Sequence, residues 1–77
     1  MHANLEQRID LITLATHVTA TTYEPDQFPA AILRTLEGPV CLIFSSGKIV
    51  IVGSKSESQL LQCFNNLKNM LYGFLLE

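Results

Sequence analysis

The sequence predicts a small α+β domain of two layers, an antiparallel sheet and the helices that cover one of its faces. Two apolar runs rich in β-branched residues, 40–45 and 48–53, flank a compact turn, which is typical of a β-hairpin. A helical pattern follows over 56–72. At 77 residues, 48% of them hydrophobic, the chain is too short for two ordinary domains and too apolar for a disordered segment. We therefore expect one domain over 1–77.

The N-terminal third predicts a short helix followed by a loop. Apolar residues at helical spacing after Asp10, a suitable N-cap, predict a helix over 9–17. The β-prone residues 19–22 favour a short strand. Two prolines within 23–29 restrict the backbone, so this segment is expected to be an ordered loop.

Three consecutive antiparallel strands form the predicted sheet, 30–36, 40–45 and 48–53. The first reversal, at 37–39, contains Gly and Pro, which favour turns. The second is Ser-Ser-Gly-Lys at 45–48, a compact hairpin signal between two apolar runs.

An amphipathic helix over 56–72 is the last predicted element. Ser56 followed three residues later by Gln59 is a capping-box pattern, and Gly73 suits a C-cap. The apolar positions at helical spacing are Leu60, Phe64, Leu67 and Leu71. Such a stripe predicts that the helix packs on the sheet.

The predicted strands carry more apolar residues than one covered face requires. Because helices cover only one face of a two-layer domain, each strand should alternate apolar and polar residues. If one set faces the helices (Cys41, Ile43, Ile49 and Ile51), an opposite set is left uncovered: Ile32, Leu42, Phe44, Val50 and Val52, with Arg34 beside them. An exposed apolar face marks an interface. A partner protein, a second copy of the chain, or the minor groove of DNA, where apolar side chains wedge between bases, could cover it.

The formal charge of −2 gives no global attraction for nucleic acid. Three of the five basic residues, Arg34, Lys48 and Lys55, nevertheless lie on or beside the predicted strands. DNA binding therefore requires local placement of charge.

Cysteine usage and motif content exclude several other functions. Cys41 and Cys63 stand apart in apolar surroundings, with no CxxC pair and no His at zinc-ligand spacing, which predicts reduced core thiols in an intracellular protein. No arrangement of residues suggests catalysis, and we expect neither an enzyme, a metal site nor a cofactor. No apolar run is long enough to span a membrane.

Two long motifs resemble one repeat of the TATA-binding protein family. They are YEPDQFPAAILR at 23–34 and CLIFSSGKIVIVGSKSESQ at 41–59, similar to the family patterns YxPxxFPxxxxR and LIFxSGKxVxTGxKS. The resemblance extends over residues 3–75. It implies half of a saddle, a curved antiparallel sheet with helices on its convex side and A/T-rich double-stranded DNA on its concave side. The family's two repeats would be supplied here by a homodimer.

The resemblance also assigns roles to individual residues. It implies that Phe28 and Phe44 intercalate between base pairs. The other DNA-binding residues that it implies are apolar residues of the groove-lining face (Ile32, Leu42, Val50 and Val52) and polar residues near the phosphates (Arg34, Ser46, Lys48 and Lys55). Glu24, Asp26 and Gln27 lie in a loop that, in the family's second repeat, resembles a contact site for transcription factor IIB.

This sequence departs from the family pattern at several positions. The alignment leaves only Met1 to Leu5 for a first strand, so the family's Asn and Val groove contacts would precede Met1. Val52 stands where the family has a threonine that bonds a base edge. These departures keep a second hypothesis open, a protein-interaction or regulatory module that retains the fold and has lost DNA binding.

Overall fold

A computed structural model of the chain describes residues 1–35 and 38–76. Its elements are β1 (His2–Asn4), β2 (Arg8–Ile9), α1 (Leu11–His17), β3 (Thr21–Thr22), β4 (Ala30–Arg34), β5 (Val40–Phe44), β6 (Lys48–Val52), α2 (Glu57–Leu71), a 3-10 turn (Tyr72–Phe74) and β7 (Leu75–Leu76). Five strands form one antiparallel sheet in the order β1-β6-β5-β4-β3, and β2 pairs with β7 in a second, two-stranded sheet. Neither helix in the described ranges is long and apolar enough to cross a membrane.

Alternate residues of the central strands fill the layer between the sheet and the helices. Cys41 and Ile43 of β5 are fully buried there, with Ile49 and Ile51 of β6. The helices contribute further buried residues: Leu11 and Leu14 from α1, and Leu67 and Leu71 from α2. Burial of each such aliphatic side chain stabilises the fold by about 1.5 to 3 kcal/mol. The predicted α+β class, with helices on one face of an antiparallel sheet, is confirmed.

Helix α1 begins at Leu11, two residues later than predicted. Asp10 caps it, because the Asp10 carboxylate accepts hydrogen bonds from the Thr13 amide at 3.1 Å and the Thr13 hydroxyl at 2.6 Å. Ile9 instead lies in β2 and pairs with Leu75. That pairing joins opposite ends of the chain, which local periodicity cannot reveal.

Helix α2 has the predicted N-cap and a different C-terminus. The Ser56 hydroxyl accepts a hydrogen bond from the Gln59 amide, at 3.1 Å. The Gln59 side chain accepts from the Lys55 amide at 2.6 Å, so the reciprocal bond of the capping box reaches one residue further back. The glycine C-cap prediction was wrong, because Gly73 continues the chain within a 3-10 turn and does not adopt a positive φ.

The three predicted central strands are present with shorter bounds. β5 and β6 each end one residue earlier than predicted, and β4 ends at Arg34; the predicted strand residue Leu36 lies outside the described residues. The short strand expected within 19–22 is β3. Strand β1 occupies the short N-terminal segment that the resemblance left for a first strand.

Candidate nucleic-acid interface

One face of the five-stranded sheet is not covered by either helix. Residues directly opposite each other on paired strands share a face of the sheet. A row across all five strands therefore contains His2, Val50, Leu42, Ile32 and Thr22, each paired with the next. The neighbouring residues on these strands face the helices, so we call the surface that contains this row the open face.

Two further rows complete the open face. At the hairpin end of the sheet, Asn4 pairs with Lys48, and Phe44 pairs with Ala30. At the other end, Val40 pairs with both Val52 and Arg34. The predicted division of apolar residues between the two faces is thus observed, and every predicted open-face residue lies there.

The middle of the open face is apolar and accessible. Ile32, Leu42 and Val50 are half-buried, and Val52 is 49% exposed. The five strands of this sheet contain no acidic residue. An exposed apolar surface of this kind marks an interaction site.

Phe28 and Phe44 lie together at the hairpin end of the open face. Their ring centroids are 6.4 Å apart and the ring planes are tilted by 57°, within the range of favourable aromatic contacts. The Lys48 ammonium nitrogen lies 5.8 Å from the centroid of the Phe44 ring. Phe28 is 39% exposed, and its amide donates to the carbonyl of Glu24 at 2.9 Å, which fixes the loop that carries it.

The hairpin turn that carries Ser46 is held by the N-terminal segment. The Leu5 amide donates to the Gly47 carbonyl at 3.0 Å, and the Ile9 amide donates to the Ser45 carbonyl at 2.9 Å. Gly47 has a φ of 100°, and a Cβ at this position would overlap the backbone of Gln7. The segment between β1 and β2 therefore packs closely against the turn, while Ser46 remains exposed.

Basic residues lie at both ends of the apolar surface. Lys48 marks the hairpin end and Arg34 marks the other, on the row shared with Val52. Lys55 lies in the loop that follows β6, at the same end as Arg34, and all three side chains are exposed. Lys48 and Arg34 therefore lie at opposite ends of the apolar rows, and Lys55 follows the end that carries Arg34.

The residues predicted to bind a partner protein lie in the loop that also carries Phe28. Glu24, Asp26 and Gln27 are exposed in the segment between β3 and β4. The Gln27 amide donates to the Glu24 carbonyl at 2.9 Å, so the loop turns back on itself.

Sequence reasoning missed several residues of the open face, namely His2, Asn4, Thr22, Ala30 and Val40. Val40 could have been found by extending the alternation of β5 backwards from Leu42. The side chains of β1 could not, because the pairing of β1 with β6 is not local. Thr21, on the opposite face, is buried, and its hydroxyl has no hydrogen-bond partner among the described residues.

Together, the fold and the open face define a class of α+β domain: an antiparallel sheet, helices on one side, and an apolar face flanked by cations on the other. Comparison with known proteins identifies the family. A sequence model described as transcription factor TFIID (or TATA-binding protein, TBP) matches residues 1–74, and the chain belongs to this family.

Similar proteins occur in both archaea and eukaryotes. The chain is 41% identical over 76 residues to the TATA-box-binding protein of Sulfolobus acidocaldarius, covering 94% of this chain and 38% of that protein. It is 47% identical over 55 residues to the TATA-box-binding protein of Schizosaccharomyces pombe, covering 70% of this chain and 24% of the relative. The chain thus spans less than half the length of these relatives.

A solved structure gives the same result for the fold. The TBP of Methanococcus jannaschii superposes with a TM-score of 0.88 at 35% identity, covering 95% of this chain and 44% of that chain. The predicted fold, a curved antiparallel sheet with helices on one face, is confirmed by this likeness. The predicted family resemblance is confirmed as well.

Proposed function

We propose that this chain is a transcription-initiation factor domain that binds A/T-rich double-stranded DNA in the minor groove through its open face. The observation that carries the proposal is the arrangement of that face. Apolar rows lie in the middle, two phenylalanines lie together at one end, and cations flank the rows. Family membership supports the same function. The proposal includes no catalytic role and no cofactor.

The chemistry of the face fits the minor groove. Minor-groove proteins insert apolar side chains between base steps and hold the flanking phosphates with basic residues. Phe28 and Phe44 would serve as wedges, while Ile32, Leu42, Val50 and Val52 would contact the floor of the groove. Because Val52 offers a methyl group and no hydroxyl, it would contribute shape complementarity but no hydrogen bond to a base.

A titration with duplex DNA tests the proposal. A labelled A/T-rich duplex and a G/C-rich duplex of equal length are titrated with the protein at low and at moderate salt. We expect tighter binding to the A/T-rich duplex, and bending detected by energy transfer between its ends. Undetectable binding to the A/T-rich duplex even at low salt would reject DNA binding. It would favour the second hypothesis, an interaction module, which the net charge of −2 also suits.

We further propose that two copies of the domain pair through β1 to form a homodimeric saddle. Met1 and Ile51 exchange backbone hydrogen bonds, and the Leu5 amide donates to the Gly47 carbonyl, so the residues that alternate with His2 and Asn4 are the ones directed at the hairpin. The backbone groups of His2 and Asn4 are therefore directed to the free edge of the sheet. An isologous contact between two such edges would join two five-stranded sheets into one.

A proline at the free edge tests the dimer. His2→Pro removes an amide that β6 does not use, so the monomer should keep its circular dichroism while the dimer mass is lost in sedimentation at micromolar protein. Ala3→Pro is the matched control, because it removes an amide on the side facing β6 and should destabilise the monomer. A wild-type mass that stays monomeric across the concentration range would exclude this dimer.

We propose that the loop containing Glu24, Asp26 and Gln27 binds a transcription factor IIB-like protein, in the nucleus or the cytoplasm according to the organism. The double variant Glu24→Gln, Asp26→Asn should weaken capture of such a protein on the DNA complex with little change in DNA affinity, because it keeps Phe28 and the backbone hydrogen bonds that hold the loop. Glu57→Gln, on α2, is the control that removes a carboxylate elsewhere. Equal capture by both variants would exclude this role for the loop.

A further inference from the structure

The two cysteines are brought together by the fold although 22 positions separate them in the sequence. Cys41 of β5 and Cys63 of α2 face each other across the core layer, with their Sγ atoms 3.7 Å apart. Cys41 is fully buried, whereas Cys63 is half-buried. Both line a cavity of about 220 Å³ that also contacts Leu33, Gln62 and Met70.

We propose that Cys41 and Cys63 form a reversible disulfide within one chain when the protein meets a two-electron oxidant such as hydrogen peroxide. A disulfide bond is about 2.05 Å long, so the sulfurs need to approach further. The adjoining cavity leaves room for the side-chain rotations that this requires. Both cysteines lie in the core layer, so their oxidation does not depend on DNA binding.

The two thiols would have different roles because their exposure differs. Burial, together with the proximity of Cys63, raises the pKa of the Cys41 thiol to about 12, so Cys41 stays protonated and is a poor first nucleophile. Cys63 is the more accessible sulfur and reacts first. Its sulfur attacks one peroxide oxygen, the O–O bond breaks, and water leaves with the thiol proton, which gives a sulfenic acid.

Cys41 then completes the reaction. Its sulfur attacks Sγ of Cys63, the S–O bond breaks, and hydroxide leaves as water with the Cys41 proton. The two thiols lose two electrons in total, and one peroxide is reduced to two waters. The product links α2 to β5 and restricts the unfolded chain, which should raise the thermal midpoint by roughly 10 to 25 °C.

To test the proposal, the reduced full chain is treated with one equivalent of hydrogen peroxide. We expect both thiols to disappear together in a titration under denaturing conditions, and the monomer mass to fall by about 2 Da. The thermal midpoint should rise, and dithiothreitol should reverse every change. Cys63→Ala is the control, in which oxidant should leave the midpoint unchanged.

Three outcomes would overturn the proposal. The first is a free thiol that persists after oxidation. The second is a monomer mass that rises by added oxygen and does not fall by about 2 Da. The third is a disulfide found only between two molecules. The wild-type measurements and their reversal by dithiothreitol decide the question even if Cys63→Ala does not fold.

Discussion

Phe28 and Phe44 differ in how far they are buried. Substitution of Phe28 should therefore disturb the fold less than substitution of Phe44. Phe44 belongs to β5 and is half-buried, whereas Phe28 is 39% exposed on a loop. If both act as wedges, Phe28→Ala should weaken binding to A/T-rich duplex about tenfold or more and reduce bending, because a wedge lets the bent duplex contact more protein. Fluorescence anisotropy and energy transfer measure the two effects.

Tyr72→Ala supplies the control for that prediction. Tyr72 is also an exposed aromatic residue, at 58%, but it lies in the 3-10 turn after α2 and away from the open face. Its removal should leave DNA affinity unchanged.

Phe44→Ala should weaken DNA binding and reduce bending as Phe28→Ala does. If it unfolds the protein or dissociates a dimer, Phe44 is a packing anchor and not a wedge.

The buried hydroxyl of Thr21 lowers the stability of the core. Its hydroxyl oxygen is buried and accepts or donates no hydrogen bond in the described part of the chain. Leaving a buried hydroxyl unpaired costs about 1 to 3 kcal/mol, so Thr21→Val should raise the free energy of unfolding by about 1 kcal/mol. Thr22→Val, at the exposed next position, is the control and should change it by less than about 0.5 kcal/mol. Urea unfolding measures both, and no gain for Thr21→Val would contradict the assignment.

At the scale of single elements, the start of α1 depends on one carboxylate. The Thr13 hydroxyl and then the Thr13 amide, both hydrogen-bonded to Asp10, hold the pKa of that carboxyl below its usual value. Because folding lowers the pKa of Asp10, its ionised carboxylate stabilises the folded state at any pH above the unfolded-state pKa. This stabilisation is lost as the pH falls through the folded-state pKa. Wild-type protein should therefore lose more stability than Asp10→Asn between about pH 5 and about pH 2.

Urea midpoints across that pH range provide the measurement for Asp10. Asp26→Asn is the matched control, because it removes a carboxylate from an exposed loop and not from a helix terminus. If the urea midpoints of wild type and Asp10→Asn change in parallel with pH, the charge of the Asp10 carboxylate does not stabilise the fold.

The hairpin turn depends on a glycine. Gly47 has a positive φ, and a Cβ there would overlap the Gln7 backbone, which has no freedom to rotate away as a side chain does. Gly47→Ala should lower the free energy of unfolding by about 2 kcal/mol or more. Gly73→Ala, where no atom lies within 4 Å of the added carbon, should be neutral or raise it by up to about 1 kcal/mol. Equal effects of the two variants in urea unfolding would contradict this account of the turn.

For the whole molecule, the sequence predicted best what local patterns determine. The alternation around Ile43 and Ile49 gave the two faces of the sheet, and Ser56 gave the start of α2. The resemblance allowed for a first strand at the N-terminus, but the pairing of β1 with β6 and the pairing of Ile9 with Leu75 were not predicted, because they depend on contacts between distant parts of the chain. The proximity of Cys41 and Cys63 was missed for the same reason. The roles of Phe28 and Lys55 rest on resemblance, since no periodicity shows what a loop residue binds.

The distribution of charge over the whole molecule separates the two functional hypotheses. The chain is acidic overall, yet Arg34, Lys48 and Lys55 lie around the open face, while Lys68 lies on α2 with its ammonium 5.5 Å from the Phe64 ring. Three phosphate contacts in each protomer of a dimer would make the logarithm of the association constant fall against the logarithm of salt concentration with a slope of roughly −5. An interaction module would show no such dependence.

Single lysine substitutions can show which side of the molecule produces the salt dependence of DNA binding. Lys48→Ala should make the slope shallower by about 1 for each phosphate that is no longer neutralised, about 2 in a dimer, with little change in preference among sequences. Lys68→Ala removes the same charge from the helix side and should leave the slope unchanged. Both changes lower the net charge equally, so a general effect of charge would alter the two slopes by the same amount. Equal slopes for the two variants would therefore show that the phosphates do not contact the open face at Lys48.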